Sequence, residues 1–361
     1  MAALPKHAQI FQQLHQAIQR GDYKDGSRLP SEAVLGRQFS ASRPTVAQAL
    51  RELSRLGLLE RHKGAGSFVR LAPANTGTFG LLADGLGATE IVEPMSVEIS
   101  RAARALGWNV VMGAAVADRS PDLIAREWAE RGVAGVFFAP IEHHPVRMTM
   151  NRAVAERLHH RGMTVVLLDR DLEEFPGRSD YDLVAIDDFF AGFELTEHLV
   201  ERGCRRFAFV ARPAFPATTD LRLAGARAAL APVDKAQLEF AVGYPHDVAW
   251  LKKLLKRTRA DAVIASNDAT AAQVLQTLQQ LGHQIPAEIK VAAFDDIRYA
   301  QLLSPPLTTM RQPCADLGIA AVETMLGRLR QPTMPARRIL LRAELIARKS
   351  TAKTGDSHAE K

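Results

Sequence analysis

Three apolar runs end in side chains that suit a hydroxyl-rich ligand. VVLLDR closes on Asp169-Arg170, VIASND on Asn267-Asp268 and VAAFDD on Asp295-Asp296, while TTDLRLAG sets Arg222 early in a helix and PPLTTMRQP offers Gln312. Carboxylates, guanidinium groups and amides without a metal-ligand cluster predict a small polyhydroxylated ligand, because each sugar hydroxyl donates and accepts at once. A lone Asp at a strand end is ordinarily a helix cap or a surface residue. The repetition of such residues at the carboxyl ends of strands, where open α/β sheets bind ligands, carries the reading.

A second set lies near the N-terminus. Arg43, Thr45 and Gln48 occupy the first turns of a helix that opens with Ser42 and Pro44, in SASRPTVAQAL. Arg pairs bidentately with guanine and Gln with adenine, and a helix N-terminus with its Ser hydroxyl holds a phosphate. Arg61, His62 and Lys63 follow at a basic turn whose glycines, Gly64 and Gly66, let the backbone approach a polyanion closely.

These residues need elements to hold them. Helical spacing over 8–20 buries Ile10, Phe11, Leu14, Ala17 and Ile18; a second helix begins after the N-cap Ser31, with Val34, Leu35 and Phe39 as its apolar stripe and Arg37 among its polar residues. In the third helix Val46, Leu50 and Leu53 face inward, and GLLERHKGAGSFV reads as a hairpin. Three helices and a hairpin predict a winged helix-turn-helix over 1–70, whose third helix, the second of the helix-turn-helix pair, enters the major groove of double-stranded DNA. Residues 71–77, within RLAPANTGTF, read as a linker.

Beyond it, strand-length apolar runs at 79–84, 109–115, 135–140, 164–169, 183–186, 206–211, 261–266 and 290–295 alternate with helical segments. This predicts an α/β fold of parallel sheets covered on both faces, with enough strands for two lobes over 78–347. The polar residues 348–361 read as a disordered tail.

Charge divides in the same place. Residues 1–72 hold 11 Lys/Arg and 5 Asp/Glu, a surplus of 6 that equals the net charge of the whole 361-residue chain. A small module that meets a polyanion is thus joined to a neutral one. No apolar stretch approaches the roughly 20 residues needed to span a bilayer, and the polar, amphipathic start is unlike a signal peptide, so a cytoplasmic location without membrane contact is expected. Cys204 and Cys314 stand far apart outside any CxxC pattern and support neither a disulfide framework nor a zinc site.

The stretch LPSEAVLGRQFSASRPTVAQALRELSRLGLLERHKGAGSFV resembles the DNA-binding domain of the GntR family of bacterial transcription regulators. The resemblance implies DNA contacts from the start of the second helix (Ser31, Arg37), the start of the third (Ser42, Arg43, Thr45, Gln48) and the wing (Arg61, His62, Lys63, Gly64). Ala33 and Ala47 stand where some members carry Arg, a departure that bears on operator sequence. Over roughly 78–347, IDDFFAGFELTEHLVERGCRRFAFV, LRLAGARAAL, ASNDATAAQVLQTLQQLGHQIPAEIKVAAFDD and LLSPPLTTMRQPCADLGIAAVETML resemble the effector domain of LacI-type repressors and periplasmic sugar-binding proteins. That resemblance implies two lobes joined by crossing strands, with a sugar held by Asp169, Arg170, Arg222, Asn267, Asp295 and Gln312. Thr89 and Glu90, in the divergent first loop DGLGATEIVEP, are further candidates. The combination is that of arabinose-type repressors.

Other readings fail on particular residues. GLGATE lacks the third glycine of a dinucleotide loop, Glu90 standing in its place, and Glu142, His143 and His144 form a polar loop without a ligand set and read as exposed. No catalytic motif is present. The expectation is therefore a homodimeric DNA-binding regulator, not an enzyme, needing no cofactor and released from operator DNA by a monosaccharide. A purine or phosphosugar effector on the same architecture is the alternative, and a transport-type sugar-binding protein a more distant one.

Overall fold

The computed structural model describes residues 5–353, except 20–21, 25, 56–57, 63–65, 70–76, 84–90 and 115–119. The chain divides into two compact units, the second beginning at Gly77.

The first unit contains α1 (Lys6–Gln19), α2 (Glu32–Gln38), α3 (Arg43–Arg55) and the antiparallel hairpin β1 (Leu59–His62) and β2 (Gly66–Val69). Ile10, Leu14, Leu35, Val46, Leu50 and Leu53 form its core. Ser31 caps α2 by accepting from the Val34 amide, and Ser42 caps α3 by accepting from the Thr45 amide, as Ser at these positions predicts. Val34, expected in the apolar stripe of α2, is 41 % exposed; Leu35 supplies the buried contact instead. Gly66 takes φ +111°, and the Arg28 guanidinium lies against it where a Cβ would stand, so the wing requires glycine there.

The second unit has two lobes. In chain order its elements are β3 (Thr78–Ala83), α4 (Val92–Ala105), β4 (Asn109–Ala114), α5 (Pro121–Glu130), β5 (Val133–Phe138), α6 (Arg147–His160), β6 (Thr164–Leu168), β7 (Asp182–Ile186), α7 (Asp188–Glu201), β8 (Arg206–Ala211), α8 (Ala217–Leu230), β9 (Gln237–Val242), α9 (Val248–Thr258), β10 (Ala262–Ala265), α10 (Asp268–Gln280), β11 (Lys290–Asp295), β12 (Thr308–Arg311), α11 (Cys314–Arg330), β13 (Arg338–Leu341) and β14 (Glu344–Ile346). One sheet has the order β13-β7-β6-β5-β3-β4 and the other β14-β12-β11-β10-β8-β9. Every pairing is parallel except β12 with β14. Near-continuous apolar strands such as RFAFVA are buried on both faces, as parallel sheet between helices demands.

The chain crosses between lobes three times, after β7, after β12 and after β13, each time within a few residues. Short crossings confine relative motion of the lobes to Asp187, Gln312-Pro313 and Arg342-Ala343. Strands β9 and β12 to β14, and helix α11, went unread in the apolar pattern. β9 is an edge strand with little buried surface, and β12 to β14 are only 3 or 4 residues long.

The tail boundary at 348 is wrong. Lys349–Thr351 form a 3-10 turn with Ser350 and Thr351 buried. Ser350 Oγ donates to the Val291 carbonyl (2.6 Å) and accepts from the Thr308 amide (2.8 Å), Arg348 pairs with Asp296 (2.6 Å), and Thr351 bonds His198 Nε2 (2.8 Å). Residues 354–361 lie outside the described residues. A chain ending at Ala347 leaves several of these buried groups unpaired, at about 1–3 kcal/mol each. It should therefore melt well below one ending at Lys353, a comparison that calorimetry makes directly.

Candidate functional site

In the first unit Arg37, Ser42, Arg43, Gln48, Arg61 and His62 are all exposed. α3 starts at Arg43, so Arg43 and Gln48 project from its first turns, while the Thr45 hydroxyl bonds Ser42 Oγ (2.7 Å) and completes the cap. Ser31 likewise acts as a cap with its hydroxyl turned to the α2 amides. Arg61 donates to Glu32 (2.5 Å), which ties the wing to the start of α2. Arg51 is exposed two turns along α3 from Arg43 and was overlooked; its spacing of eight residues puts it on the same helix face. Lys63 and Gly64 lie outside the described residues.

In the second unit the strand-end residues converge. Asp169, Arg170, Arg222, Asn267 and Asp295 line one pocket between the lobes, and Gln312 joins them by donating from Nε2 to Asp295 Oδ1 (2.8 Å). Asp169 and Arg170 follow β6 in one lobe; Arg222 on α8, Asn267 after β10 and Asp295 at the end of β11 belong to the other. Thr89 and Glu90 lie outside the described residues. Asp169, Asp295 and Asp296 take φ values of 68°, 114° and 54°. Such backbone costs on the order of 1–3 kcal/mol per residue and persists where surrounding structure fixes it.

The arginines are held on every side. Arg222, 4 % exposed, donates from Nε to Asp188 Oδ1 (2.7 Å) and from Nη1 to the Ser266 carbonyl (2.7 Å), approaches Asp295 (3.6 Å) and lies over the Phe294 ring. Burial works against its charge, but Asp188, Asp295 and Asp169 outweigh burial and hold its pKa above the ordinary value. Arg170, equally buried, donates from Nε to Asp169 Oδ2 (2.8 Å) and pairs through Nη1 with Glu142 (2.8 Å). Burial, partly offset by Arg222, pushes the carboxyls of Asp188 and Asp295 up to about 7. Among the described residues, Asp169 Oδ1 and Gln312 Oε1 are buried acceptors without a partner.

Asp188, Glu142 and His143 were missed. Asp188 opens α7, and only the α7–α8 packing brings it to Arg222. Glu142 and His143, read from sequence as exposed, line the pocket with side chains 12 % and 20 % exposed. His143 has three partners across the cleft: its amide donates to the Ala214 carbonyl (3.0 Å), and its ring lies between the Pro213 carbonyl (Nδ1, 3.4 Å) and Arg212 (Nε2, 2.9 Å). A carbonyl only accepts and a guanidinium only donates, so the ring is neutral with its proton on Nδ1. These contacts close the lobes, and the walls leave only about 20 Å³ between them. Entry of a monosaccharide requires the lobes to part.

A larger cavity of about 750 Å³ lies at the opposite end of β6 and β7, with Arg152, Tyr181, Asp182 and Arg328 in its wall. Arg152 and Arg328 in its wall are taken up by structural pairs with Glu173 and Asp182. The cleft keeps, among the described residues, the unpaired acceptor Asp169 Oδ1 in its wall, with Gln312 Oε1 beside it, and the larger cavity the unpaired Ser179 hydroxyl. Among the described residues no group of three His, Cys, Asp or Glu is placed to hold a metal ion, and no helix is long and apolar enough to cross a membrane.

Comparison with known proteins gives the same division. Residues 6–69 match the family described as bacterial regulatory proteins, gntR family, and residues 196–351 match the periplasmic binding protein-like domain. The arabinose metabolism transcriptional repressor of Geobacillus stearothermophilus is 28% identical over 372 residues, which cover 96% of this chain and 98% of that protein. The ribose operon repressor of Escherichia coli K12 is 33% identical over 217 residues, 58% of this chain and 62% of that protein. A LacI family transcriptional regulator from Enterococcus faecium with bound ribose shares the fold at a TM-score of 0.61 and 23% identity, over 76% of this chain and 98% of that one.

Proposed function

Because the chain joins a GntR-type helix-turn-helix domain to a periplasmic-binding-protein-like effector domain, we propose that it is a sugar-responsive transcriptional repressor, released from double-stranded operator DNA by a monosaccharide. The observation that carries the effector half is the pair of orphaned buried acceptors, Asp169 Oδ1 and Gln312 Oε1, set among fully paired arginines. Sugar hydroxyls are donors of the right kind for both. Its chemistry is binding and release, without a catalytic step, and its relatives are transcriptional regulators.

The sugar holds the closed cleft against the open one. Closure turns the lobes about the three crossings and changes the spacing of two DNA-reading heads, so the effector acts through its differential affinity for the two states. A coupling of about 1–3 kcal/mol changes operator affinity roughly 5- to 150-fold. The working unit is a homodimer reading half-sites related by a two-fold axis. Exposed apolar side chains on an edge strand of each sheet support it: Met112 on β4 and Val242 on β9.

The test begins with melting curves in the presence of free pentoses, hexoses, phosphosugars and purines. A ligand at 100 times its dissociation constant adds about 2.7 kcal/mol of stability. A free monosaccharide is expected to be the responder; a response to purines alone would replace the reading of the cleft. On the DNA side, Arg43→Ala should weaken operator binding by about 1–3 kcal/mol, roughly 5- to 150-fold, while leaving the sugar-induced melting shift intact. An equal loss on operator and random DNA would make Arg43 a phosphate contact and not a base reader.

A further inference from the structure

The loop after β5 sets an acidic residue in the pocket wall beside the six residues read as holding the sugar. Glu142 lies 2.8 Å from Arg170 Nη1 with its own side chain only 12 % exposed. The remaining edges of that guanidinium are taken by Asp169, at 2.8 Å from Nε and 2.6 Å from Nη2, and by the Pro140 carbonyl at 3.3 Å. Arg170 therefore reaches the cleft already neutralised. Arg222 is spent in the same way on Asp188, Asp295 and the Ser266 carbonyl.

We propose that Glu142 is a specificity-determining residue of the cleft: by occupying Arg170 it confines the effector to uncharged, hydroxyl-rich molecules and excludes phosphorylated and carboxylate-bearing sugars. This rests on the sugar-responsive reading above and names the class of sugar. Four carboxylates (Glu142, Asp169, Asp188, Asp295) face two guanidinium groups (Arg170, Arg222), a surplus of two acidic groups. Burial and the Asp169 charge raise Asp188 and Asp295 to about 7, as a shortage of cations does. A phosphate monoester brings about 1.5 to 2 further negative charges at pH 7 and finds no unpaired cation in the wall among the described residues. The segment DGLGATE at 84–90 contains no Lys or Arg. Arg212 is not part of that wall; it donates from Nη2 to the neutral His143 ring, and its buried Nε has no partner among the described residues.

The orphaned atoms agree with the charges. Asp169 Oδ1 and Gln312 Oε1 are acceptors, and a hydroxyl satisfies either one, whereas a phosphate or carboxylate oxygen sets acceptor against acceptor. Glu142→Gln removes the charge while keeping the size of the side chain and one acceptor oxygen, and it frees part of Arg170 for an anion.

Titration calorimetry on the full chain and on Glu142→Gln, with ribose, arabinose, xylose and glucose against ribose 5-phosphate, glucose 6-phosphate and gluconate, tests this. The unaltered protein should prefer a neutral sugar over its anionic counterpart by about 100-fold or more, and Glu142→Gln should narrow that ratio by about 10-fold or more through gained anion affinity. An unchanged ratio in Glu142→Gln, or an anion bound as tightly as its neutral parent by the unaltered protein, overturns the role of Glu142 and leaves the sugar reading standing. Failure of the unaltered protein to bind any sugar, neutral or charged, overturns the sugar reading and this inference with it.

Discussion

Arg222→Ala is expected to lower the melting temperature of the effector unit by on the order of 10 °C and to remove the sugar response. Arg222 is the cation between Asp188 and Asp295, and all three lie within the cleft wall or directly behind it. Its loss leaves two buried carboxylates without compensation, the situation in which breaking an ion pair costs about 3–5 kcal/mol. It also leaves the Ser266 carbonyl without its 2.7 Å donor and uncovers the Phe294 ring. A pH signature separates this cause from simple loss of volume. Asp188 and Asp295 already titrate near 7, above the ordinary value of 3.8, and removing Arg222 pushes both higher. A carboxyl raised on folding contributes stability below its unfolded pKa and loses it as pH rises through the folded one. The deficit of Arg222→Ala relative to the unaltered protein should accordingly be smaller at pH 5 than at pH 8. A deficit that stays constant across that range would mean that the charges are not what Arg222 stabilises.

The strand ends were legible and their partnerships were not. Asp169, Arg170, Arg222, Asn267 and Asp295 reach one pocket because parallel strands deliver their carboxyl ends to the same edge, a rule that follows from topology alone. Which acid meets which arginine depends on packing between elements distant in the chain. Asp188 is 34 residues from Arg222, and Glu142 is 28 from Arg170, with no local pattern to announce either contact. Roles within one motif also divide: in SND, Asn267 Oδ1 caps α10 by accepting from the Thr270 amide, while Asp268 is wholly buried and accepts from Thr309 Oγ1 (2.6 Å) and the Ile297 amide (3.0 Å). Asp268 thus braces the loop that carries Asp295, a structural task that strand-end position does not distinguish from ligand binding. The first unit was more legible, since its caps and apolar spacing are local. The turn at Lys63-Gly64 and the linker over 71–77, of which only Gly77 is described, stay readings of sequence.

The contact that sets Arg222 against Asp188 is a close crossing of two helices, and it makes Gly225→Ala the second large effect. A Cβ at Gly225 would come closer than 3.0 Å to the Phe189 carbonyl and the Phe193 amide, and one at Gly192 closer than 3.0 Å to the Arg222 main chain. Backbone meets backbone on both sides, so no flexible side chain can yield. In an open helix Gly→Ala stabilises by about 0.8–1 kcal/mol; here overpacking of about 1–3 kcal/mol or more reverses the sign. Arg222 precedes Gly225 by three residues and Asp188 precedes Gly192 by four, so each lies one turn from the crossing. Helices forced apart there lose the 2.7 Å bond between them, and sugar affinity should fall along with stability. Gly327→Ala supplies the control: it too lies inside a helix, α11, but its added Cβ meets only the end of Arg337 at 3.5 Å, an ordinary contact. Gly225→Ala should therefore melt lower and bind sugar more weakly, and Gly327→Ala should melt as high or higher and bind normally. The same substitution acting in the same direction at both sites would show that the α7–α8 crossing is not what positions Arg222.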